Sequence, residues 1–135
     1  MKLSFWNGMP DDAREVAGWM FSRDYESTVS DAGIHLGLGG QGEMAGRLIM
    51  QLGTGKPLVG KTVVNRWTWH QVKLERSDTE IRVFLDGLKE PEIRQTDAAK
   101  QSLVPQLFFG GRSDTKDNWE GRLDEIAVFN GLIGS

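Results

Sequence analysis

The sequence predicts an all-β domain, either a two-sheet sandwich or a barrel, on three observations. Apolar and polar residues alternate with a period of two along several short runs, the pattern of strands with one buried face. Seventeen of the 135 residues are glycine, above the ~7% average, and they fall between those runs, where turns belong. No segment sustains the apolar period of a helix longer than about a turn or two.

Taken in order, Lys2 to Asn7 (KLSFWN) sets Leu3 and Phe5 against Ser4 and Trp6, a first strand. Residues 9–18 carry Pro10, Asp11, Asp12 and Glu15, residue types of a helix start, in a stretch that reads as a polar loop with one helical turn. Trp19 to Ser22 is a short strand and residues 23–32 a polar loop. In Gly33 to Gly40, Ile34, Leu36 and Leu38 share a face, while His35 takes the other, as a surface or groove side chain. Arg47 to Gln51 and Thr62 to Val64 are strands flanking a loop at 53–60, and Asn65-Arg66 turns the chain.

Trp69 to Leu74 (WHQVKL) and Ile81 to Gly87 (IRVFLDG) then form an antiparallel hairpin joined by residues 77–80. Ile81, Val83 and Leu85 face the core, and Asp86-Gly87 accepts the positive φ of a tight turn. Residues 89–102 are polar and irregular, with Pro91 opposing a central strand. Leu103 to Gly110 is a strand reached past Pro105, residues 112–121 a polar loop, and Arg122 to Asn130 the last strand.

This length suits one domain with a sizeable core. Apolar residues make up 39% and charged residues 26%, unlike a disordered chain, and no run is long enough for a transmembrane helix. Met1-Lys2 leads into a strand with no secretory signal, so the chain is cytoplasmic or a piece of a longer exported one. A net charge of −3 without a Lys/Arg cluster argues against a nucleic-acid partner. The lack of cysteine rules out disulfides, thiolate zinc sites and a Cys nucleophile, and two histidines are too few for a His-rich metal site.

Read together, WHQVKL, IRVFLDG, LFFGGR and GRLDEIAVFN resemble the laminin-G-like, concanavalin A-like lectin/glucanase superfamily, in the form appended to large exported bacterial proteins. Trp119, Gly121, Leu123, Asp124, Glu125, Ile126, Val128 and Phe129 fill its last-strand motif. The likeness covers about Trp67 to Asn130, and more loosely Leu3 to Trp6 and Phe21 to Arg23. There are departures. Gln71 replaces the histidine of the family's Trp-x-His-Val, with His70 one position earlier, and NGLIGS replaces the usual turn after the last strand. The family's opening strand is missing or lies upstream, which leaves an open sheet edge for a homodimer.

The resemblance implies a single two-sheet antiparallel β-sandwich of jelly-roll type over residues 1–135, excised from a longer chain that is extracellular, periplasmic or on the cell surface. It implies a non-catalytic recognition module for a glycan or cell surface. The alternative is a structural appendage packed on a parent catalytic domain, with no sugar ligand.

The candidate sites follow. Trp6, Trp69 and Phe84 have non-core parity and share a face with Gln71, Lys73 and Arg82; aromatic faces stack on sugar rings while polar groups read hydroxyls. The same face could instead be a second packed layer or a domain contact. Parity places Asp124 inward with Ile126 and Val128, and a buried carboxylate must be hydrogen-bonded, paired or metal-bound. In the superfamily such carboxylates often help hold a structural calcium ion; the loop at 113–118 offers Asp114, Asp117 and Asn118 as oxygen ligands, and Asp24 and Asp31 are candidates of the same unspecific kind. Glycoside hydrolysis requires two carboxyl groups about 5–5.5 Å or roughly 6.5–9.5 Å apart across the bond. Asp124-Glu125 are adjacent and point to opposite faces, and Glu90 and Glu92 flank Pro91 in a loop. No nucleophile elbow, phosphate loop or His/Asp metal cluster is present, so no catalytic residue is expected.

Overall fold

A computed structural model describes residues 1–7, 16–24, 33–77, 80–96, 107–110, 112, 119 and 122–127. Among them run strands β1 (Lys2–Trp6), β2 (Val16–Arg23), β3 (Ile34–Gly39), β4 (Arg47–Leu52), β5 (Leu58–Val63), β6 (Trp69–Arg76), β7 (Ile81–Leu85), β8 (Ile93–Gln95), β9 (Leu107–Phe109) and β10 (Arg122–Ala127), with a 3-10 turn at Gly42–Met44. They form two five-stranded sheets, ordered β10-β1-β6-β7-β8 and β5-β4-β3-β2-β9. Every strand pair is antiparallel. The open ends of both sheets decide for the sandwich over the barrel.

The alternation read from the sequence builds the core. Leu3 and Phe5 of β1, Val72 and Leu74 of β6, and Ile81, Val83 and Leu85 of β7 meet Met20 and Phe21 of β2, Ile34, Leu36 and Leu38 of β3, and Leu48 and Met50 of β4. Each such side chain contributes roughly 1.5–3 kcal/mol on burial. Met20 and Phe21 both face inward because the β2–β3 register shifts between Trp19 and Phe21. A bulge of this kind puts neighbouring residues on one face.

Where the sheets meet at one edge, Glu92 joins them. It is buried just before β8, and its Oε1 accepts the backbone N–H of Lys61 at 3.1 Å and of Thr62 at 2.8 Å on β5. Oε2 accepts the Thr62 hydroxyl at 3.0 Å. The β4–β5 register shifts between Arg47 and Ile49, so the carboxylate serves backbone donors beside an irregular stretch of ladder. An edge strand is thereby covered rather than left as a pairing template.

Several boundaries differ from the sequence reading. β2 already begins at Val16 and β5 at Leu58, within stretches expected to be loops. β8 lies in the stretch expected to be irregular, as a three-residue edge strand just after Pro91, where proline is tolerated. The helical turn expected within 9–18 lies largely outside the described residues, as do residues 103–106 and 128–130 of two expected strands.

Three orientations are corrected. His35, expected at the surface, is fully buried, and so are Trp19 and Ile49, though none belongs to the core between the sheets. The far side of the second sheet is therefore a buried layer too. Asp124, expected inward, is exposed, and Ile126 is 42% exposed. Glu125 adopts φ 49°, and the β1–β10 register shifts between Lys2 and Ser4. That irregularity breaks the alternation, and Leu123 packs against the core instead.

Candidate binding face

The outer face of the β10-β1-β6-β7-β8 sheet is set by its register. Trp6 lies opposite Trp69, Ser4 opposite Gln71 and Lys2 opposite Lys73 between β1 and β6. Between β6 and β7, Lys73 lies opposite Phe84 and Glu75 opposite Arg82. Cross-strand partners share a face, so all five ligand candidates, Trp6, Trp69, Gln71, Arg82 and Phe84, come together there. The face grades from an aromatic end, through neutral Ser4 and Gln71, to a cationic end.

At the aromatic end the Trp6 and Trp67 rings lie 5.5 Å apart at 58°. The Arg122 guanidinium sits 5.4 Å from the Trp6 ring centre, in range of a cation–π contact. Trp6 is thus flanked by a ring and a cation. Trp67 is 63% exposed and Trp69 48% exposed.

Trp67 has φ 63°, which costs a residue with a Cβ roughly 1–2 kcal/mol. Asn7 secures the turn beneath it. The Trp67 N–H donates to the Asn7 carbonyl at 2.7 Å, and the Asn7 N–H to the Thr68 carbonyl at 3.2 Å. The buried Asn7 amide donates to the carbonyls of Val64 at 3.1 Å and Asn65 at 3.4 Å.

At the cationic end, Lys2, Gln71, Lys73, Phe84, Gly87 and Leu88 line a depression of about 120 Å³. Lys73 Nζ lies 4.8 Å from the Phe84 ring centre and the Arg82 guanidinium 6.0 Å from it. Glu75 pairs with both cations, at 2.9 Å to Lys73 and 3.2 Å to Arg82. Phe84 and Arg82 lie where expected, but their groups are engaged within the face.

The Asp86-Gly87 turn supports its middle. Both residues have positive φ, 52° and 72°, as the dipeptide predicts. Asp86 Oδ1 accepts the Gln71 N–H at 2.8 Å, and Oδ2 lies 2.8 Å from His70 Nδ1. His70 Nε2 is 2.7 Å from Thr68 Oγ1. His70 therefore braces the turn from the inner side, its ring 5.6 Å from that of Phe5.

Of the metal candidates, Asp124 and Asp24 lie among the described residues. Asp124 Oδ1 accepts the N–H of its neighbour Glu125 at 2.8 Å. Asp114, Asp117, Asn118 and Asp31 lie outside the described residues. Asp24, just past the end of β2, is fully buried, with Oδ2 3.5 Å from His35 Nε2, and Ser22 Oγ lies 2.6 Å from His35 Nδ1. Ser22, His35 and Asp24 are the residue types of a hydrolytic triad, yet all three are buried away from solvent, where they tie β2 to β3. Of the carboxylate pairs weighed for hydrolysis, Glu92 is committed to β5, and Asp124 and Glu125 lie exposed on the edge strand β10.

Sequence reasoning passed over Asn7, Trp67 and Arg122. The available signal was the tryptophan itself, standing in a turn where Gly, Asn or Asp is ordinarily found.

Residues 3–134 match the Laminin_G_3 family, described as the Concanavalin A-like lectin/glucanases superfamily. The chain belongs to that family, whose character supports a binding module. Among solved structures it is similar to mouse laminin alpha1 chain, domains LG4-5, with TM-score 0.52 and 20% sequence identity. The alignment covers 82% of this chain and 27% of that one; at this identity the likeness concerns the fold. No curated protein gives a significant match. No helix among the described residues is long and apolar enough to cross a membrane.

Proposed function

We propose that this domain is a non-catalytic recognition module that binds carbohydrate through the outer face of the β10-β1-β6-β7-β8 sheet. The observation that carries the reading is the pair of exposed indoles, Trp67 and Trp69, beside Trp6 on one face. Large rings left in water on a sheet surface mark an interaction site, and flat indoles suit the C–H faces of pyranose rings. Gln71 and Ser4, next along the face, are placed to read hydroxyls. Among the described residues, Glu92 is bonded to β5 and Asp124 and Glu125 lie exposed on an edge strand, an arrangement that supports a non-catalytic role. An extracellular, periplasmic or cell-surface location in a bacterium fits the family.

The second reading is a protein-interaction appendage packing on a parent domain. It is favoured by exposed Leu88 beside the Phe84 depression, which adds aliphatic surface that a sugar does not require. A structural calcium ion would take Asp124 with Asp114, Asp117 and Asn118, and a homodimer would use an open sheet edge such as β10.

A glycan array and polysaccharide pull-down, with and without calcium, separate these readings. Glycan retention lost in Trp69→Ala supports the first. A blank array, with capture of the parent domain through this face, refutes it in favour of the second. An unchanged melting temperature on chelation removes the calcium ion, and a monomer in sedimentation equilibrium removes the dimer.

A further inference from the structure

Trp67 presents an imbalance. Its backbone is left-handed, a conformation that glycine adopts freely and a bulky side chain does not. The residue, 63% exposed, recovers little burial in return. Asp86 and Glu125 share the positive φ, but Asp belongs to such turns and Trp does not. A conformation of this kind persists only where the surroundings over-determine it.

Here they do so from both sides. Asn7 and the 67–68 backbone exchange two hydrogen bonds that continue the β1–β6 ladder one step past the Trp6–Trp69 pair. The Asn7 amide reaches two carbonyls on the near side of the turn, Thr68 Oγ1 donates to the Asn65 carbonyl at 3.2 Å, and the Val64 N–H is anchored on the Gly46 carbonyl at 2.7 Å. The result fixes the Trp67 ring against Trp6, itself backed by Arg122.

We propose that Trp67 is the leading stacking residue of the face and that Asn7 is its positioning residue, holding a strained turn so that the ring is presented before ligand arrives. The inference rests on the carbohydrate reading above. A turn fixed in advance spares the ordering cost that binding otherwise incurs.

The test compares Trp67→Ala, Trp67→Gly, Trp69→Ala, Asn7→Ser and the double variant Asn7→Ser/Trp67→Ala. Thermal unfolding is measured without ligand. Affinity is measured by calorimetry for cellohexaose, xylohexaose, mannohexaose and chitohexaose. Trp67→Gly should melt about 4 °C above Trp67→Ala, because glycine relieves the φ strain that alanine keeps. Both should lose about tenfold or more in affinity for any hexaose the wild type binds. Asn7→Ser should weaken binding in the wild-type background and leave it unchanged in the Trp67→Ala background, a coupling that a merely structural role does not produce. Equal melting of the two Trp67 variants, or an Asn7 effect of equal size in both backgrounds, overturns the proposal. Binding lost in Trp69→Ala but kept in Trp67→Ala overturns it while leaving the carbohydrate reading intact. A wild-type domain that binds none of the four sugars overturns both.

Discussion

Removing the Glu92 carboxylate tests how the two sheets are held at their shared edge. In Glu92→Ala, the N–H groups of Lys61 and Thr62 and the Thr62 hydroxyl lose their acceptor. A hydrogen bond to a charged group contributes about 1.5–3 kcal/mol. Lys61 and Thr62 are exposed, so water replaces part of each bond, and a net loss of about 2.5 kcal/mol is expected. For a domain of this size that lowers the melting temperature by roughly 8 °C. Glu92→Gln keeps an amide oxygen for the two N–H groups and presents an NH₂ to the Thr62 oxygen, so about 1 kcal/mol should be lost. Urea unfolding of the three proteins, monitored by tryptophan fluorescence, gives the ordering. An alanine variant within about 0.5 kcal/mol of wild type, or a glutamine variant as unstable as alanine, would refute the stitch as a stabilising element.

Three further outcomes check particular contacts. Ile126→Lys should change stability by no more than about 0.5 kcal/mol in denaturant melts, whereas Leu123→Lys should cost several times more, since β10 exposes the first residue and packs the second on the core. Gly37→Ala should destabilise by about 3 kcal/mol or abolish expression of folded protein, because a Cβ there would lie 2.4 Å from the Gly18 carbonyl oxygen, a backbone atom with no rotamer to yield. Phe84→Ala should cost less glycan affinity than Trp69→Ala on the same array, since Lys73 and Arg82 already flank the phenyl ring.

The residues that alternated cleanly were read correctly because their periodicity is a local property. Ile81, Val83 and Leu85 point inward while Arg82 and Phe84 point outward, with β6 alongside as expected. Asp124 failed by the same rule: one left-handed residue, Glu125, resets the parity, and nothing in the composition of RLDEIA announces it. His35 failed for a different reason. Alternation says which side of a strand a residue takes, and not whether that side meets solvent, and the far side of the second sheet is buried around Trp19 and Ile49.

The sequence by itself determined the all-β class, the hairpin, the family motif of the last strand and the set of side chains that share the outer face, because each depends on short-range spacing. The tertiary structure alone decided which of those side chains stand free. Trp6 and Phe84 match Trp69 in parity, but cations on neighbouring strands cover their rings. Trp67 has no parity, since it sits in a turn, and it reaches the face through hydrogen bonds to Asn7, sixty positions earlier in the chain. Contacts across such separations follow from the order in which strands pair, which local spacing does not encode.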